Sequence, residues 1–153
     1  MDRLTPDRRS WNMSRIRSRD TAPERAVRST LHSLGFRFRL HSKVLPGHPD
    51  VVLPKYRTVV LVHGCFWHRH PDCRFAYTPK SRTDFWTSKF AENMARDRRT
   101  VDALCQADWK VVIVWECETR NIDALATRLK HAILSSQTPP QESTTHGQIK
   151  SDR

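Results

Sequence analysis

The sequence predicts a small α/β sandwich built on a mixed sheet, and three observations carry that expectation. Two β-branched runs with no polar face, Thr58 to Val62 and Lys110 to Trp115, have the character of buried strands. The patterns along the chain follow the order helix, three strands, long helix, strand, helix, which layers helices against one sheet. The length of 153 residues supports one ordinary hydrophobic core.

Taken in order, Met1 to Asp20 is a basic arm carrying Arg3, Arg8, Arg9, Arg15, Arg17 and Arg19, with Trp11, Met13 and Ile16 interspersed. Such a segment is either a partly disordered tail or one that orders on a phosphate backbone and presents Met13 as an apolar wedge. Thr21-Ala-Pro-Glu24 fits a capping box, and Pro23 suits a first helical turn. The helix it opens should run to Leu34, with Val27, Leu31 and Leu34 on one face and Gly35 ending it in a left-handed conformation. Capping alone accounts for Glu24.

Phe36 to Leu40 alternates apolar and basic side chains, the period of a strand with one face buried. Pro46-Gly-His-Pro-Asp50 is a turn, Val51 to Leu53 a short strand, Pro54 to Arg57 another turn, and Thr58 to Val62 the return strand. That hairpin has Asp50 at its entrance. Ser81 to Ala107 is helical in period, offers Phe85, Trp86, Phe90, Met94, Val101, Leu104 and Cys105 as apolar contacts, and is expected to break near its middle. Lys110 to Trp115 is a buried strand, and Asn121 caps a helix to Leu134 with Leu125, Leu129 and Ile133 on one face. The organisation expected is an arm over 1–20, a domain over 21–134 and a polar, disordered tail over 135–153.

With 27 basic against 16 acidic residues, a net charge of +11 and a pI near 10.3, the chain calls for a polyanionic partner, nucleic acid above all. Twenty of the basic residues are Arg and 7 are Lys, and guanidinium grips phosphate bidentately and stacks on rings. No run reaches the apolar length of a membrane span, and the Met1 end has no apolar core of a secretory signal. A membrane role is therefore not expected, and the cytoplasm is the expected compartment.

The densest chemistry lies in Leu61 to Cys73, which holds three histidines, two cysteines and the adjacent rings of Phe66 and Trp67. Rings of that size want burial or a stacking partner. Cys65, His70 and Cys73, joined by the distant Cys117, make a donor set without acids that suits a closed, structural, tetrahedral zinc site. His68 or Asp72 could replace His70, and Cys65 and Cys117 could be no more than small buried residues. Two disulfides among the four cysteines fit a cytosolic protein less well, and Cys105 falls on a helix face with Val101.

Asp50 stands at the start of one strand, and the next strand returns the Val62-His63 backbone beside it. A carboxylate and a carbonyl at one sheet edge can hold Mg²⁺, the ion suited to polarising a phosphodiester. His63 and His68 would then act as acid, base or water-orienting groups. The alternative is that Asp50 is a turn residue after Pro49.

Pro46-Gly-His-Pro-Asp50, His63-Gly-Cys-Phe-Trp-His68, Thr83-Asp-Phe-Trp86, Asn93 with Arg96-Asp-Arg-Arg99, and Val114-Trp-Glu-Cys117 together resemble the very short patch repair endonucleases. The likeness runs from about Ser10 to Arg120 and takes in Asn12-Met13 and Asp20-Thr-Ala-Pro-Glu24. It implies a restriction-endonuclease-like fold and a Mg²⁺-dependent nick 5′ to the thymine of a T:G mismatch, the lesion left when 5-methylcytosine deaminates. By the same resemblance Asp50 and the Val62 carbonyl are Mg²⁺ ligands, His68 is the candidate base, and His63, Glu24 and Asp97 arrange metal-bound water. Cys65, His70, Cys73 and Cys117 match the structural zinc ligands. Phe66, Trp67 and Trp86 resemble a wedge entering the duplex beside the mismatch, with Met13 entering from the other groove.

Where the broader nuclease superfamily usually carries an acid and a lysine on the strand after its aspartate, this chain has Val62 and His63, as the repair family does. The resemblance further implies a monomeric bacterial enzyme at the nucleoid, followed downstream by mismatch-repair proteins and a DNA polymerase. Two other readings of the residues are a zinc-stabilised DNA-binding module without hydrolytic activity and a related nuclease that cuts matched DNA.

Overall fold

The computed structural model describes residues 20–135. Helix α1 spans Ala22–Ser33, with Thr21 as N-cap, its hydroxyl accepting the Glu24 N–H at 3.4 Å. Gly35 follows at φ +84° and turns the chain away, as its position predicts. Strands β1 (Arg39–Leu40), β2 (Val51–Leu53), β3 (Thr58–His63) and β4 (Lys110–Trp115) form one sheet in that order. β1 and β2 are antiparallel, β2 and β3 are antiparallel, and β3 and β4 are parallel, so the sheet is mixed as expected. Helix α2 (Thr83–Gln106) makes the crossover from β3 to β4. Helix α3 (Ile122–Leu134) is capped by Asn121, whose side-chain oxygen accepts the Ala124 N–H at 3.1 Å.

Alternation along the strands divides the core into two layers. Val51, Leu53, Val60, Val112 and Val114 face α1 and α3, meeting Val27, Leu31, Leu125, Leu129 and Ile133. Val52, Val59, Leu61 and Val111 face α2 through Leu104, with Val101 and Cys105 packed alongside. Both faces of the sheet are covered, which is why β3 and β4 carry no polar face.

Two expectations need correction. The strand read over Phe36 to Leu40 shrinks to Arg39–Leu40, because β2 has only three residues and offers pairing partners at Val51 and Val52 alone. Phe36 instead sits in the α1/α3 layer, edge-on to Tyr56 at 5.4 Å. The long helix is unbroken over 24 residues. Its two halves bury different things, Phe90 and Asn93 under the His63–Arg82 loop and Leu104 on the sheet, so its apolar face shifts without the helix ending. Among the described residues no helix is long and apolar enough to cross a membrane.

Candidate functional site

The antiparallel ladder of β2 and β3 ends at Val51 and Val60, so the last residues of β3 run on past their partner. The Val62 N–H, left without a ladder acceptor, donates to Asp50 Oδ2 at 2.8 Å. In an extended strand the N–H and C=O of one residue share an edge, so the Val62 carbonyl faces the same side. An open cleft of about 380 Å³ lies there, and its walls include Glu24, Asp50, Val62, His63, His68 and Asp97. They come from five places in the fold: α1, the entrance of β2, the end of β3 with both Val62 and His63, the following loop and α2.

Burial raises the Asp50 carboxyl above its ordinary range, against the opposing pull of the Val62 N–H. Burial and then the charge of Asp50 raise Glu24, which is 5% exposed. Two carboxylates that disfavour each other's ionisation in a shared cleft are a donor set that a divalent cation would relieve. Glu24 also serves its helix, but its carboxylate takes the N–H of Asp20 at 2.8 Å and not that of the N-cap Thr21.

His68 places Nδ1 at 2.6 Å from Asp97 Oδ2. A carboxylate only accepts, so in the neutral ring the proton sits on Nδ1 and the lone pair on Nε2. The His63 ring stacks on His68 at 4.1 Å with 9° between planes, and packs edge-on to Trp115. Burial, helped by His68, pulls His63 down to about 4, so its ring is neutral at physiological pH.

The second centre joins the loop after β3 to the turn that follows β4. Cys65, His70, Cys73 and Cys117 bring four ligand atoms within 4.8 Å of one another. His70 Nδ1 lies 3.4 Å from Cys117 Sγ and 3.7 Å from Cys65 Sγ, and the Cys117 N–H donates to Cys65 Sγ at 3.4 Å. The His70 ring stacks on Trp115 at 4.3 Å. Burial pushes the Cys65 thiol up to about 12 and raises Cys117 as well. Cys73 lies below its ordinary value: burial opposes this, but the Phe75 and Ala76 amides and the two other thiols outweigh it. Three thiols this close cannot all ionise without a cation, and a sulfur-rich set with one imidazole fits tetrahedral zinc. His68, the alternative ligand, is turned to Asp97, and Asp72 is exposed at φ +55°.

Phe66, Trp67 and Trp86 form one aromatic cluster, with Phe66 5.1 Å from Trp67 and 5.4 Å from Trp86, and Phe90 beneath. Met13 lies outside the described residues. Four neighbours have no role in the sequence reading, although three of them, His48, Asn93 and Arg96, stand within its motifs. Asn93 is buried and donates to the Trp67 carbonyl at 3.1 Å. His48 and Arg96 line the same cleft. Arg69 donates to the carbonyls of Ala76 at 2.8 Å and Tyr77 at 3.0 Å, while its guanidinium lies 4.0 Å over Phe90. The only signal for Arg69 was a basic residue set among aromatics.

Arg69→Ala should therefore loosen the loop without touching the sheet. A loss of about 2 kcal/mol is expected from its hydrogen bonds and ring contact, read as a lower Tm and faster proteolysis between residues 66 and 82. Lys, which lacks the planar fork, should not restore either reading.

The chain is similar in sequence and in fold to known nucleases. The family model described as DNA mismatch endonuclease Vsr matches residues 1–74. The type II nicking enzyme V.XorIIP of Xanthomonas oryzae pv. oryzae is 52% identical over 132 residues, covering 86% of this chain and 96% of the relative. The DNA mismatch endonuclease Vsr of Escherichia coli is 45% identical over 117 residues, covering 76% of this chain and 74% of the relative. In fold, the catalytic domain of the homing endonuclease I-Bth0305I superposes with a TM-score of 0.53 at 18% identity, covering 76% of this chain and all of that domain. A mixed sheet with a nuclease's architecture, and sequence identity that extends over nearly the whole length of a nicking enzyme, agree on one ancestry: the chain is a DNA endonuclease that belongs to the Vsr family of DNA mismatch endonucleases.

Proposed function

We propose that the chain nicks duplex DNA on the 5′ side of the thymine in a T:G mismatch, in a Mg²⁺-dependent hydrolysis that opens the repair of deaminated 5-methylcytosine. The observation that carries this reading is the meeting, in one cleft, of Asp50, the free edge of Val62, Glu24 and the His63, His68 and Asp97 side chains. Asp50 and the Val62 carbonyl would hold Mg²⁺. Bound there, the ion supplies Lewis-acid polarisation of the scissile phosphodiester and makes water a better nucleophile.

The chain's own groups supply the rest. His68 Nε2 accepts the proton of the attacking water, because Asp97 fixes the proton of the same ring on Nδ1. His63, neutral and stacked on His68, orients water without adding a second positive charge to the cleft. Glu24 accepts a further hydrogen bond from that water. Arg96 and His48, which line the same cleft, would meet phosphate oxygens.

Phe66, Trp67 and Trp86 enter the duplex beside the mismatch, and Met13 of the 1–20 arm enters from the opposite groove. Opening a base step costs a few kcal/mol, which aromatic stacking offsets at about 1–3 kcal/mol per base. A T:G pair is easier to deform than a matched pair, so part of the discrimination lies in deformability. Zinc held by Cys65, His70, Cys73 and Cys117 fixes the loop that carries the wedge. The domain over 21–134 acts as a monomer in the bacterial cytoplasm, and mismatch-repair proteins and a DNA polymerase act after it.

A strand-resolved nicking assay in Mg²⁺ tests the reading, with one duplex carrying T:G and its T:A and C:G counterparts. One nick 5′ to the mismatched thymine, absent from both matched duplexes, is expected. Equal cutting of all three would make the chain a nuclease for matched DNA.

A further inference from the structure

We propose that Asp20 is the positioning residue that aims the Glu24 carboxylate at Asp50, with Arg28 and His41 as the clamps that hold Asp20 in place. This rests on the reading of Glu24 as part of the cation site.

Asp20 takes a left-handed conformation, φ +53°, which costs energy for any residue with a side chain. Three contacts stabilise it. Arg25 Nη1 donates to the Asp20 carbonyl at 2.8 Å, Arg28 Nη1 donates to Oδ1 at 2.8 Å, and His41 Nε2 lies 3.5 Å from the same Oδ1. In this conformation the Asp20 N–H points along Glu24 Oε2, at 2.8 Å. An ordinary capping box would draw the carboxylate back to Thr21; here it is drawn one residue further.

His41 connects this hub to the other carboxylate. It too is left-handed, φ +49°, and its own N–H donates to the Asp50 carbonyl at 3.1 Å. Its Nε2 is fully enclosed and has no hydrogen-bond partner among the described residues, which leaves the Asp20 carboxylate as its nearest counterpart. One residue thus holds the backbone of Asp50 and the side chain of Asp20. Asp20, Glu24 and His41 also lie within metal-ligand distance of one another. The Arg28 guanidinium on Asp20 Oδ1 opposes a cation there, so the trio is a support for the neighbouring site and not a site of its own.

The test uses the full chain with Mn²⁺ as probe, its binding followed by electron paramagnetic resonance without DNA, beside DNA affinity measured without metal. Asp20→Ala loses both the clamp and the tolerance for φ above zero. It should raise the Mn²⁺ half-saturation concentration roughly tenfold, the low end for groups that orient metal ligands, with DNA affinity unchanged. Asp20→Asn keeps a left-handed preference and an acceptor for Arg28, and should stay near the parent value. A lower Tm in Asp20→Ala with parental Mn²⁺ binding would overturn the positioning role. Glu24→Gln separates the two layers of inference. If it weakens Mn²⁺ binding while Asp20→Ala does not, only the positioning role fails; if neither weakens it, the reading of Glu24 fails as well.

Discussion

Asp50→Ala is expected to abolish nicking while leaving the fold and most DNA binding in place. A Lewis-acid metal contributes several kcal/mol to the transition state, and each 1.36 kcal/mol is tenfold in rate, so a loss on the order of 10³-fold or more is expected. The stability change should be small, because two effects oppose. The Val62 N–H loses its acceptor at 2.8 Å, an unsatisfied group costing about 1–3 kcal/mol. Against this, a buried carboxyl whose charge disfavours that of Glu24 disappears. Single-turnover nicking, DNA binding in the absence of Mg²⁺ and thermal unfolding would be measured on the same preparation. A variant that still cuts would remove Asp50 from the chemistry, and one that no longer folds would make it a structural turn residue.

Cys117→Ser is expected to lower the zinc content found by elemental analysis and to destabilise the protein. Cys117 follows β4 directly, in the 3-10 turn Glu116–Arg120, and is the one proposed ligand outside the Cys65–Cys73 loop. Without it, that loop keeps three ligands but loses its tie to the sheet. The core layers on both faces of the sheet do not depend on that tie, so a zinc-finger-like collapse is not expected. A drop in Tm of roughly 10 °C, corresponding to about 2–3 kcal/mol, is the expected scale. Nicking should fall in parallel, because His68, Phe66 and Trp67 sit on the same loop. Parental zinc stoichiometry would exclude Cys117 from the centre.

Signals that act within a few residues were legible from the sequence. The Thr21 and Asn121 caps, Gly35 after α1, the hairpin entered at Asp50 and the apolar run of β4 all stand where local chemistry places them. Patterns that depend on a distant partner were not. Phe36 to Leu40 has a strand's alternation, yet a strand needs something to pair with, and β2 ends too soon. The helix α2 changes what it packs on along its length, which imitates a break in period. At the site, Asp50, His63 and His68 attract notice by chemistry alone. The stacking of the two imidazoles, the reach of Asp97 from α2 and the hub at Asp20 arise only when separate elements meet. Arg69 was one basic residue among aromatics, and His48 and Arg96 stood within motifs without a role, because nothing local shows that they line the cleft.

The parallel pairing of β3 with β4 bears on how a newly made chain would come to hold the proposed zinc. Cys65, His70 and Cys73 emerge together, whereas Cys117 is 52 positions from Cys65 and reaches it only across that pairing. Closing a loop of this length costs about 4 kcal/mol of chain entropy. Formation of the sheet meets that cost, so the metal does not have to. A nascent chain would therefore hold zinc loosely with three ligands and trap it only once β4 has docked. Retained metal would mark a chain whose last strand has been correctly inserted.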